Sequence, residues 1–107
     1  ERFLQFVVYP VRTDADPTSW SHAIPTGRWT HVAVVNDGRH TTMYVDGAKI
    51  ARNASEESKG ISTLGKPFVI GATQFALRYG HGFYGWIGDT RIVSRALRPE
   101  QFLTAIR

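Results

Sequence analysis

Residues 27–47 read GRWTHVAVVNDGRHTTMYVDG. A tryptophan leads into HVAVV (31–35), NDGRH follows, and TTMYV (41–45) then runs into Asp46-Gly47. Both apolar runs are rich in β-branched residues, which suit a pleated surface. Asn and Asp tolerate positive φ and Gly prefers it, so NDGRH is hairpin chemistry. Asp46-Gly47 predicts a second, two-residue turn of the primed type that feeds AKIAR (48–52). Successive strands joined by tight turns make this an antiparallel β-protein.

Outward from that stretch, RFLQFVVYPVR (2–12) is apolar on both alternating sets and predicts a strand covered on both faces, with Pro10 ending its ladder or marking a bulge. Residues 13–28 have loop composition interrupted by Trp20 and Ile24. NASEESKGISTLGK (53–66) reads as a polar loop, PFVIGA (67–72) as a strand, and TQFALRYGHG (73–82) as an irregular stretch. FYGWIGDTRIVSRAL (83–97) returns to strand character, with a closing strand over 85–93. In RPEQFLTAIR (98–107), Pro99 suits a first helical position, and Phe102, Leu103 and Ile106 share one side of a short terminal helix. Strands with turn signals every ten residues or so predict an antiparallel β-sandwich, because one sheet this apolar needs another to cover it.

The chain's 107 residues suit one domain. Apolar residues make up 42% and charged residues 21%, the composition of a folded chain rather than a disordered one. The absence of cysteine excludes a disulfide scaffold and thiolate metal sites. The net charge of +4 is dispersed; its one local concentration, Arg91, Arg95 and Arg98, is interleaved with apolar residues and does not form the basic face of a nucleic-acid binder. No apolar run reaches the length of a membrane span.

Catalytic patterns fail on context. GHGFYG (80–85) matches G-x-G-x-x-G, but it leads into β-branched and aromatic sequence, whereas a dinucleotide site needs a helix there. His22, His31, His40 and His81 lack zinc-site spacing. The adjacent pair Glu56-Glu57 lies in a polar loop, and no G-x-S-x-G occurs. Asn53-Ala54-Ser55 fits the N-glycosylation sequon in a loop where it is usable. No enzyme is read from this chain.

Several motifs in fixed order resemble one family. Trp29, His31, Val32 and Ala33 precede Tyr44, Val45, Asp46 and Gly47; Ile70-Gly71 follows, then Phe83, Gly85, Ile87, Arg91 and Ile92, and finally Arg95, Ala96 and Leu97. This series resembles the laminin-G-like (LamG-like, concanavalin A-like) jelly-roll domain. The residues also have physical roles as they stand. Trp29 and His31 are expected to be structural, at the entrance of an apolar strand. Asp46-Gly47 fixes a hairpin register, and Gly85 admits a second backbone close to its strand.

The resemblance implies an extracellular or cell-envelope recognition module without catalytic activity of its own, appended to a larger secreted protein such as a hydrolase or calcineurin-like metallophosphoesterase. Its expected ligand is carbohydrate or a protein surface, held by Trp20, Gln74, Arg78, Tyr79, His81 and Tyr84. The alternative is a structural domain that packs against a catalytic neighbour and shapes its cleft. Many relatives hold a structural calcium through an Asp after the residue matching Ile87. Here that place is Gly88, so metal binding is expected to be weak or absent; Asp89, one position later and on the opposite face of a strand, is the one acid placed to substitute. No other cofactor is implied. The family domain also carries N-terminal strands that this sequence lacks, so pairing with upstream sequence, or self-association through a strand edge, is expected.

Overall fold

A computed structural model describes residues 3–8, 18–52, 68–75, 78–80 and 82–104. The chain divides into two compact units, residues 1–61 with 93–107, and residues 62–92.

In the first unit, β1 (Phe3–Val8) pairs antiparallel with β2 (Thr18–Ala23), in a register that sets Phe3 against Ala23 and Val8 against Thr18. The second strand is a correction, since residues 13–28 read as a loop. Its alternation of Ser and Thr with larger residues gives only a weak local signal, and pairing with β1 decides its state.

The opening stretch folds as read. β3 (Val32–Asn36), β4 (Thr41–Val45) and β5 (Ala48–Arg52) form an antiparallel sheet in that order. Between β3 and β4, the Asp37 carboxylate accepts hydrogen bonds from the Arg39 and His40 amides at 2.9 and 2.8 Å, and Asn36 Oδ1 accepts from the Gly38 amide at 2.8 Å. These local acceptors close a four-residue loop. Between β4 and β5, Asp46 and Gly47 have φ of 51° and 79°, the two positive values that a type I′ turn needs. The register slips between Met43 and Tyr44, leaving Ile50 as the extra residue of a bulge.

β4 is covered on both sides. Thr41, Met43 and Val45 are buried, and Met43, only 2% exposed, forms a core with Val45, Ala51 and the partly buried Ile50. On the opposite face the Tyr44 ring meets Phe102 edge to face, with centroids 5.2 Å apart. Phe102 follows a single 3₁₀ turn, Pro99–Gln101. The terminal helix is therefore shorter than expected. Backbone at Phe102 returns to the extended region (φ −74°, ψ 160°), which turns its ring onto the sheet instead of continuing the helix.

Within the second unit, β6 (Thr73–Phe75) and β7 (Arg78–Gly80) form a hairpin inside the stretch that reads as irregular. Two other expectations do not hold. Residues 68–72 form no strand, and neither do residues 82–98, which include the expected closing strand over 85–93. The β-branched pattern is present in both segments, but a strand also needs a ladder partner, and no described strand pairs with them. Gly85 admits a close neighbour, but a different one: a Cβ there would meet the Phe83 ring at 2.8 Å, so the ring of the same segment fills the space expected for a second backbone.

Candidate functional site

The residues expected to hold a ligand are distributed over both units. Gln74, Arg78 and Tyr79 come together on the β6–β7 hairpin, where Gln74 pairs with Tyr79 and Phe75 with Arg78. Arg78 is exposed, and Tyr79 is 67% exposed. Tyr84 follows at 87% exposure. His81 lies outside the described residues, and Trp20 sits on β2 in the other unit.

Trp86 is the addition that sequence reasoning missed. It is as exposed as Tyr84, at 87%, because it belongs to a segment that forms no strand. The i, i+2 spacing of Tyr84 and Trp86 was the available signal: in an extended chain it sets two rings on one side. The Gly71 carbonyl accepts the Phe83 amide at 2.7 Å, which ties this segment to the residues before β6. Tyr79, Tyr84 and Trp86 thus supply broad apolar faces with polar tips, and Arg78 adds hydrogen-bond donors. That combination suits stacking and hydrogen bonding rather than proton transfer.

A second feature lies wholly in the first unit. Asp46 latches the turn to the residue before β3. Its amide donates to the His31 carbonyl at 2.8 Å, and its Oδ1 accepts the His31 amide at 2.9 Å. Its Oδ2 accepts Arg28 Nη2 at 3.2 Å. The His31 ring stands 5.6 Å from Phe102, tilted by 31°. A half-open hollow of about 270 Å³ lies here, lined by His31, Asp46, Pro99, Glu100, Phe102 and Thr104. The latch joins Asp46 and His31 through one backbone and one side-chain hydrogen bond. Trp29 contributes less to the core than its motif position suggests, since it remains 48% exposed.

Asp89 is exposed, and among the described residues no group of three His, Cys, Asp or Glu side chains is placed to hold a metal. Among the described residues, the one exposed carboxylate of Asp89 falls short of the six to eight oxygens that calcium takes.

The family model of the concanavalin A-like lectin/glucanases superfamily (Laminin G 3) matches residues 3–102. The chain belongs to this superfamily. Its all-β, antiparallel class is that of the concanavalin A-like fold. The chain is similar to a solved structure of an S-layer domain-containing protein (residues 221–444) from Clostridium thermocellum, with a TM-score of 0.61 and 25% sequence identity. The match covers 92% of this chain and 49% of that one, so this chain spans about half of the relative's length. No curated protein matches the chain. No helix among the described residues is long and apolar enough to cross a membrane.

Proposed function

We propose that this concanavalin A-like domain is a non-catalytic recognition module of a cell-surface or secreted protein, and that its ligand is carbohydrate. The observation that carries this reading is the presentation of Tyr84 and Trp86 to solvent, each at 87% exposure, together with the exposure of Tyr79 and Arg78 on the β6–β7 hairpin. Large aromatic faces left in water forgo the burial that drives folding, and sugars offer C–H faces that cover such rings while their hydroxyls bond the polar tips. The superfamily and the similarity to an S-layer domain-containing protein support an extracellular setting.

A second reading has its own observation. Phe68, Ile70, Ile87 and Ile92 are each more than half exposed, and apolar surface of this kind suits packing against a neighbouring domain. A glycan array probed with the protein and with the Tyr84→Ala/Trp86→Ala variant separates the two readings. Carbohydrate recognition predicts glycan signals that the variant loses without a change in melting temperature. Signals at background for every glycan would overturn it in favour of packing. Because Asp89 alone does not supply a calcium donor set, glycan signals should persist in a chelator; their loss would place a metal in the site.

A further inference from the structure

The β3–β4–β5 sheet has two edges, and they are built differently. β5 reads AKIAR: it carries Lys49 and Arg52 and is interrupted by the bulge at Ile50. Charges and bulges are the devices that keep an edge strand from pairing with another chain. β3 reads VAVVN, with no charge and no proline, and its register against β4 is unbroken. Among the described residues, β4 is its only ladder partner.

The hydrogen bonds show which groups β3 turns outward. The Asp46 amide donates to the His31 carbonyl, and the Asp37 amide donates to the His40 carbonyl. These contacts flank the register that sets Val32 against Val45 and Asn36 against Thr41. In an antiparallel ladder, hydrogen-bonded and non-hydrogen-bonded pairs alternate. His31 and Asp37 are hydrogen-bonded positions, and Ala33 and Val35 between them follow suit. Val32 and Val34 therefore direct their N–H and C=O groups away from β4. The same two valines are 39% and 49% exposed, although they share a face with buried Met43 and Val45. Outward backbone groups and uncovered apolar side chains thus coincide on one edge.

The occupant that fits this edge is a second copy of the chain. Antiparallel pairing of a strand with its own copy brings like side chains close, so any charge on the strand meets its like. On a chain of net charge +4, β3 avoids this because it carries none, whereas β5 would bring the cations of two copies together. Val34 is the middle residue of β3, so a two-fold axis there overlaps all five residues. We infer that two copies join β3 to β3 antiparallel, with Val34 facing its counterpart, into one continuous six-stranded sheet. A ladder this short buries less than the ~1,200 Å² of a stable interface, which sets a weak Kd, on the order of 10 µM to 1 mM. This pairing goes beyond the recognition proposal and does not depend on its ligand.

Sedimentation velocity from about 10 µM to about 1 mM should show a monomer passing into a dimer. Val34→Lys sets two cations face to face at an exposed position and should raise Kd at least about tenfold. Because the chain has no cysteine, one introduced thiol reports the register. With oxidised glutathione, Val34→Cys should form a disulfide-linked dimer, since facing Cα atoms in such a pair lie about 5.5 Å apart. Val35→Cys, two residues out of step with its counterpart, should not. The two thiol variants decide the matter even where Val34→Lys fails to fold. A monomer throughout the range would overturn the proposal, as would a folded Val34→Lys that dimerises like the wild type. Equal cross-linking of the two thiol variants would overturn it by placing the contact elsewhere. Slow hydrogen exchange at the Val32 and Val34 amides of the dilute monomer would overturn it too, by showing that the edge is covered within one chain.

Discussion

Residues 27–52 and residues 82–97 carry the two densest runs of family motif, and they reach opposite states. In the first run every strand finds its ladder partner one turn away, and Met43, Val45 and Ala51 are buried. In the second run, residues 82–96 are all exposed and form no strand, although Ile87, Ile92 and Val93 are as β-prone as anything in β3 or β4. The difference lies in where partners come from. NDGRH and Asp46-Gly47 bring strands together locally, at small loop-closure cost, whereas the second run needs a partner from distant sequence. Within the first run a similar contrast recurs across one sheet face. Val32 and Val34 pair with Val45 and Met43 and point to the same side, yet Val34 is 49% exposed where Met43 is 2%. Cover over that face reaches β4 and β5 and stops short of β3.

Met43→Ala should have the largest effect, a loss of about 2–5 kcal/mol, because it removes the most buried side chain of the core. Urea denaturation measures it directly. Hydrogen exchange should report the same order, with β4 amides the slowest and amides of 86–93 exchanging freely. Slow exchange in 86–93 would break the comparison, since it would mean that the second run has a partner in solution.

Asp46→Ala comes next. The change removes the carboxylate's contacts with the His31 amide and Arg28 and places an alanine at φ 51°, so about 1–2 kcal/mol is expected, less than a buried charged bond because the pair with Arg28 is partly exposed. Asp46→Asn keeps an acceptor and tolerates the left-handed region, and should cost clearly less. Equal losses in the two variants would show that charge, rather than turn geometry, is what the latch contributes.

Trp86→Ala and Ile92→Ala should change stability by less than about 0.5 kcal/mol, as surface substitutions do. A loss comparable to that of Met43→Ala would mean that these side chains are covered by another layer. Light scattering across a concentration series would then show whether that layer is a second copy.

How much could be read ahead follows from the same contrast. The β3–β4–β5 sheet and both of its turns were legible, because each depends on residues close in sequence. β2 was not, since Thr18–Ala23 becomes a strand only through β1. The closing strand was overcalled for the converse reason: periodicity at 85–93 states what the segment can do once paired, and pairing lies outside it. Among the proposed ligand-binding aromatics, Tyr79 and Tyr84 are legible from composition, whereas Trp86 reads as part of the expected strand over 85–93. The hollow is not legible because residues distant in sequence, His31 and Asp46 on one side and Pro99 to Thr104 on the other, line it together.

The smallest effect tests whether even an exposed residue of the first run is held in place. The amides of His40 and Arg39 donate to the Asp37 carboxylate and hold its pKa below the ordinary value of 3.8. A carboxyl whose folded pKa is depressed adds stability that is complete above its unfolded pKa and fades as pH falls through the folded value. Asp37→Asn is neutral at every pH. The wild-type chain should therefore be slightly more stable than this variant near neutrality, and the gap should close as pH drops below 3.8. Urea melts of both proteins from about pH 7 down to about pH 2 measure the gap over the range in which an Asp titrates. A gap that stays constant throughout would show that the loop is held by its backbone turn alone, with no contribution from the charge on Asp37.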